Sequence, residues 1–292
     1  MRYDPATVIV PGFLPDTPTC RAELAQYYQS ISRIDQGLGR LVELLKANGH
    51  WNDTLVIYIS DHGIAMPGAK TTLYEGGMRS PCVVRNPYNQ RRGVQTQAMV
   101  SWVDLTPTIL DFAGQLNRQT GALPTALLTH LPKAPAGSQQ SKATARGTFH
   151  GRSFLEVLER EQPPEWDRVY ASHTFHEITM YYPMRVVRGT RFKLIWNLAY
   201  PLPFPFASDL WAAPTWQAQF QLGQQAPYGA KTVGSYIQRP EFELYDLEND
   251  PHEGVNLATT KQHASILAEM KQSLRKFQKR TADPWILKWN YE

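Results

Sequence analysis

Residues 54–60 read Thr-Leu-Val-Ile-Tyr-Ile-Ser, and the next three are Asp61-His62-Gly63. A short, nearly continuous apolar run rich in β-branched residues fits a strand covered on both faces, as in a parallel α/β sheet. In open α/β sheets ligands bind beyond the carboxyl ends of the strands, so Asp61 and His62 are expected at the working edge of such a sheet. An adjacent carboxylate and imidazole both reach one cation if the turn splays them. The competing reading is a loop aspartate with a capping role beside a hydrogen-bonded histidine.

The flanking segments suit that fold. Upstream, Leu24, Tyr28, Ile31, Leu38, Leu41 and Leu45 recur at helical spacing, and Gly49 marks the stop. Residues 80–87, SPCVVRNP, read as another short strand. Residues 101–114, SWVDLTPTILDFAG, read as a helix with Asp104 as N-cap, Pro107 in the first turn and Gly114 as the stop. The first 20 residues are proline-rich and are expected to form an extended arm. Residues 115–150 turn to Gln, Thr, Pro, Ser and Ala without periodicity and read as a long loop or linker.

Beyond residue 150 the pattern changes to aromatic and β-rich runs. RVYASHTF is followed by MRVVRGTRFKLIWNL, where Gly189 separates two alternating runs and predicts a hairpin over 186–196. FELYDLENDPHEGVNLA reads as a strand leading into a polar turn, and QHASILAEMKQSLRKFQKR as an amphipathic helix. The expected division is an α/β portion over 1–114, a linker over 115–150 and an antiparallel sheet with a closing helix over 151–292.

The segment after Asp61-His62 adds chemistry. Lys70 offers a point charge and Arg79 a planar fork, both suited to a tetrahedral oxyanion, among the glycines Gly63, Gly68, Gly76 and Gly77. The plainer readings are a surface lysine for Lys70 and an ion pair with Glu75 for Arg79. HTFHE, ending in His176 and Glu177, supplies two imidazoles and a carboxylate for acid–base work or sugar hydrogen bonding, against the plain alternative of a surface histidine cluster. The net charge of +4 suits a small anionic substrate as well as nucleic acid, but the densest basic run is only Arg91-Arg92, and no nucleic-acid partner is expected. The two cysteines, Cys20 and Cys82, form no zinc-ligand spacing and are expected as buried free thiols. No apolar run reaches the length of a membrane span.

SDHGIAMPGAKTTLYEGGMRSP resembles the second metal-binding segment of sulfatases of the alkaline phosphatase superfamily. The resemblance continues through VDLTPTILDFAG, HEITMYYPMRVVRGTRFKLIWNL and ELYDLENDPHEGVNLA, so it covers nearly the whole chain. Within the family it is nearest the heparan N-sulfatase (sulfamidase) group, on HEITMYYPMR, the YDPATVIVPGFLPDTP arm and the late DPW. The resemblance implies a calcium site with Asp61 and His62 as two ligands. Many family members carry Asn at the second position, and an imidazole suits a transition metal better than calcium, so another divalent metal stays open. It also implies that Lys70 contacts the sulfate and that His176 and Glu177 shape the sugar pocket, with Lys70 and His176 in catalytic roles.

The family's nucleophile is a formylglycine made from Cys or Ser in a C/S-x-P-x-R segment. No Cys or Ser of these 292 residues opens such a segment, and no Asp-Asp pair completes a metal site. The chain is therefore expected to correspond to the C-terminal portion of a sulfatase, with the nucleophile, the aspartate pair and a signal peptide encoded upstream. Alone, it is expected to be inactive. The complete family member is expected in the periplasm, the lysosome or outside the cell; this N-terminus does not reveal the location. The expected partners are a sulfated sugar and either the N-terminal portion or a second copy. A degenerate glycan-binding module and a phosphodiesterase or phosphatase of the same superfamily are the alternative functions. YEGGMRSP and the later β segments favour the sulfatase.

Overall fold

The computed structural model describes residues 2–117, 122 and 149–291. Most of the stretch read as a 115–150 linker lies outside the described residues. The chain forms two compact units that interleave in sequence. The first comprises residues 1–87, 171–186 and 191–267, and the second comprises 88–170, 187–190 and 268–292.

In the first unit, helix α1 spans Pro18–Ala47. Thr17 caps it, its side chain accepting from the Cys20 N–H, and Pro18 fills the first position, where no N–H is needed. Gly49 takes φ +76° just beyond the end, the left-handed stop that glycine permits. Only Cys20, Leu24 and Ala25 of this helix are buried. Ile34, Leu41 and Leu44 lie on the later turns and stay exposed, Leu44 at 60%. The arm before α1 is packed and not loose: Val8 and Leu14 are buried, and residues 5–7 make a short 3-10 turn capped by Asp4.

Strand β1, Val56–Ile59, falls inside the expected run, but its setting differs from the expectation. It pairs antiparallel with β2, Cys82–Arg85, in a two-stranded sheet, and its residues are half-buried. A strand with one neighbour keeps part of its surface in solvent, whatever its composition. Cys82 is correspondingly exposed and free, while Cys20 is buried and free, its thiol pushed up to about 11 by burial.

The larger sheet has the order β3-β4-β5-β8. β3 is Arg168–His176, β4 Met180–Gly189, β5 Phe192–Asn197 and β8 Phe242–Asp246. The two-residue link from β4 to β5 is the hairpin marked by Gly189. β5 pairs antiparallel with β8, Leu194 opposite Leu244. A minor hairpin joins β6, Pro227–Tyr228, to β7, Lys231–Thr232. The first unit's core combines Met180, Tyr182, Met184 and Val186 with Ile195, Tyr236 and Tyr245. Trp216 lies at its centre, with Phe206 at 4.5 Å and Tyr228 at 5.3 Å between ring centroids.

In the second unit, the helical segment begins as a 3-10 turn, Trp102–Asp104, and continues as an α-helix over Leu105–Phe112. Asp104 stands at the N-cap position of Leu105–Phe112, as expected, but its side chain makes no cap bond to that helix. It is the acidic end of a capping box with Ser101, and its buried carboxylate also accepts the Arg152 N–H at 2.8 Å. Tyr170 stacks on Phe277 of the closing helix, Ala264–Thr281, at 4.0 Å.

Candidate active site

The site loop begins where β1 ends. His62 Nδ1 lies 2.7 Å from the Gly63 carbonyl. A carbonyl only accepts, so Nδ1 carries the proton and, in the neutral ring, Nε2 presents a lone pair. That lone pair faces Asp61 Oδ2 at 3.4 Å. Gly63 makes the turn possible: its N–H bonds the Gly77 carbonyl at 3.2 Å, and a Cβ there would stand 1.7 Å from the Gly76 oxygen.

The chain then coils tightly. The N–H groups of Met66 and Lys70 both bond the Ile64 carbonyl, at 2.8 and 3.1 Å. Thr71, directly after Lys70, adopts φ +64°, a conformation disfavoured for a β-branched residue. Glu177, the first residue of the turn between β3 and β4, adopts φ +58°. Such local strain persists where the surroundings over-determine it and gathers at functional sites.

The return of the loop is fastened by buried charge. Lys193 on β5, wholly buried, sits 3.2 Å from Glu75 Oε1 and 2.8 Å from Glu253 Oε1. The Glu75 N–H donates to Glu253 Oε2 at 2.6 Å, and the Tyr74 hydroxyl donates to Glu243 Oε2 at 2.8 Å. Glu75, read from the sequence as a partner for Arg79, thus gives its carboxylate to Lys193.

Lys70 Nζ lies 2.6 Å from Asp209 Oδ2. The residue before Asp209 holds Glu177: the Ser208 hydroxyl donates to Glu177 Oε1 at 3.0 Å and the Ser208 N–H to Oε2 at 3.2 Å. Lys70 and Glu177, 107 positions apart in sequence, therefore meet one turn, the start of the short helix Ser208–Ala212. That helix is anchored by Leu210, wholly buried, and by Trp211, 5.9 Å from Phe206. His176 stands beside Glu177, its Nε2 4.0 Å from Glu177 Oε1. Lys70, Glu177 and His176 are thus brought to one neighbourhood. Asp61 and His62 lie earlier on the same 60–77 loop, in contact with each other and with Ser60 and Gly63.

Ser208 and Asp209 escaped sequence reasoning. PFASDLWAAP carries no motif, and the only available signal was a serine and an aspartate opening a short helix after a proline-rich stretch.

Calcium takes six to eight oxygen ligands. Asp61 and His62 supply one carboxylate and one imidazole, and among the described residues no group of three or more His, Cys, Asp or Glu side chains stands ready to hold a metal. The two residues fit as part of a divalent-metal shell and do not by themselves make a calcium site.

The chain belongs to the sulfatase family: the family model described as Sulfatase matches residues 3–115. The chain is 40% identical to human N-sulphoglucosamine sulphohydrolase over 288 residues, which is 97% of this chain and 53% of that protein. It thus spans about half the length of this relative. Among solved structures, the fold is similar to that of BT4656 in complex with its substrate D-glucosamine-2-N,6-O-disulfate, with a TM-score of 0.59 and 22% identity over 93% of this chain and 44% of that one. It is also similar to the phosphonate monoester hydrolase of Agrobacterium radiobacter, with a TM-score of 0.57 and 22% identity over 89% of this chain and 42% of that one.

Proposed function

We propose that residues 1–292 form the sugar-side half and part of the metal-side edge of a sulfatase site acting on N-sulfated glucosamine or a related sulfated sugar. The observation that carries this reading is the convergence of Lys70 and Glu177 on the Ser208–Asp209 turn. The 40% identity to N-sulphoglucosamine sulphohydrolase and the sulfated glucosamine in the BT4656 complex support the choice of substrate class.

In this reading Lys70 meets the sulfate as a point charge with three donors, one of them already given to Asp209. Glu177, fixed by Ser208, accepts hydrogen bonds from sugar hydroxyls. His176, 38% exposed beside it, is placed for proton exchange with the leaving group. Asp61 and His62 are two ligands of a divalent metal whose shell other groups complete; such an ion, when bound, neutralises charge on the sulfate. The covalent nucleophile of the family has no counterpart among these 292 residues, so the proposed role of this segment alone is binding without turnover.

Titration of residues 1–292 with N-sulfoglucosamine and with N-acetylglucosamine tests this, alongside an assay for sulfate release. The sulfated sugar is expected to bind more tightly by about tenfold, the preference to vanish in Lys70→Met, and no sulfate to appear. Equal affinity for the two sugars, or repeated turnover abolished by Asp61→Ala, would contradict the proposal.

A further inference from the structure

The Lys70–Asp209 pair raises a problem of charge. A lysine meant to receive an anion already holds one, at 2.6 Å, from a residue 139 positions away. Both partners are fixed. The Lys70 N–H is tied to the Ile64 carbonyl, and the Asp209 carboxylate is oriented by the Leu210 N–H at 3.0 Å. Lys70 is 15% exposed, whereas Asp209, at 46%, forms the open side of the pair. An approaching anion thus meets the carboxylate as well as the ammonium. The hydrogen bond from Lys70 holds the Asp209 carboxyl below its ordinary range, so it stays ionised at neutral pH.

An ammonium with one donor engaged keeps two for a second oxyanion. The added anion is attracted by Lys70 and repelled by Asp209, and both effects scale with its charge. With the pair close to neutral, a second negative charge on the ligand adds little net attraction, so the larger desolvation cost of a doubly charged anion is not offset as it would be by a lone ammonium. Sulfate esters and sulfamates carry one negative charge, whereas phosphate monoesters approach two near neutral pH and free sulfate carries two. A sulfatase must accept the first class, refuse phosphate monoesters and release free sulfate.

We propose that Asp209 is the charge-selecting residue of this site, a carboxylate held on Lys70 that admits singly charged sulfate esters and sulfamates and disfavours doubly charged oxyanions. The proposal rests on the reading above, in which Lys70 meets the substrate anion. It gives a specificity role to a residue outside the sulfatase-like motifs, on a fold also found in a phosphonate monoester hydrolase.

Methyl sulfate and methyl phosphate, matched in shape and differing in charge, separate the possibilities. Their affinities for residues 1–292 are measured at pH 8 by NMR titration, in wild type, Asp209→Asn, Asp209→Glu and Lys70→Met. Wild type is expected to prefer methyl sulfate. Asp209→Asn is expected to tighten methyl phosphate by about tenfold and methyl sulfate by much less, and Asp209→Glu to retain the wild-type preference. If Asp209→Asn leaves the ratio of affinities unchanged, or weakens both ligands equally, Asp209 only orients Lys70 and the proposal is overturned. If Lys70→Met leaves methyl sulfate binding intact, the anion site itself has been misassigned, and failure of wild type to bind either anion overturns both readings. Asp209→Ala repeats the comparison should the asparagine variant fold poorly.

Discussion

Two parts of the first unit contrast in how their charges and apolar groups are covered. Around β5 and β8, Lys193, Glu243 and Glu253 are buried and bonded to one another's neighbours, Glu75 and Tyr74. Along α1 and the β1–β2 pair, Ile34, Leu41, Leu44 and Val83 face solvent. The first arrangement puts polar groups where apolar ones are the norm, and the second does the reverse. Buried ionic groups add little net stability when intact and cost heavily when broken, so they act as registration points. Here they register the loop that carries Lys70. The exposed Ile34, Leu41 and Leu44 of α1 register nothing within the described residues, and they lie off the face that carries Cys20, Leu24 and Ala25.

The largest test of this contrast is Lys193→Met, which removes the ammonium from the buried Glu253 carboxylate and from the half-buried Glu75. A loss of about 3–5 kcal/mol is expected, read as a drop in the thermal midpoint by circular dichroism. A loss near zero would mean that the network is dispensable. Gly63→Ala comes next. Its Cβ would lie 1.7 Å from the Gly76 oxygen, so the backbone must move at a cost of about 1–3 kcal/mol, with local loss of the Asp61–His62 geometry visible by NMR.

A smaller effect is expected at Asp246, gripped by Arg191 through two bonds of 2.9 and 2.6 Å. The guanidinium holds this carboxyl well below the usual range. A carboxyl lowered on folding contributes stability above its unfolded value and loses it as the pH falls through its folded one. Asp246→Asn should therefore cost about 1 kcal/mol at pH 7, given the half-exposed arginine, and the cost should shrink below the ordinary carboxylate range. A cost that grows on acidification would reverse the sign of this account. Leu44→Lys stands at the other end. It should change stability by no more than about 0.5 kcal/mol while reducing self-association in sedimentation. A loss above about 2 kcal/mol would show that this side chain is covered after all.

The same contrast explains what the sequence made legible. The stop of α1 at Gly49, the β1 and β2 runs and the Gly189 hairpin depend on neighbours within a few residues, and each was readable, whereas the start of α1 at Pro18 fell inside the stretch read as an extended arm. β1 was misread in its setting, because covering both faces depends on other strands and not on its own composition. Lys193 is wholly buried because β5 lies between β4 and β8, a setting that its own run of residues does not reveal. Lys70 and Glu177 could be named from motifs. Their meeting place could not, since Ser208 and Asp209 lie far along the chain from both and carry no pattern of their own.

The central claim is that Lys70 and Glu177 act on one bound sugar across that turn. A double-mutant cycle on N-sulfoglucosamine affinity, with Lys70→Met, Glu177→Gln and the pair, tests it most directly. The account predicts that each single change weakens binding and that the two are coupled by about 0.5–3 kcal/mol. Two effects that add to within about 0.3 kcal/mol, or a Glu177→Gln protein that binds like wild type, would contradict it.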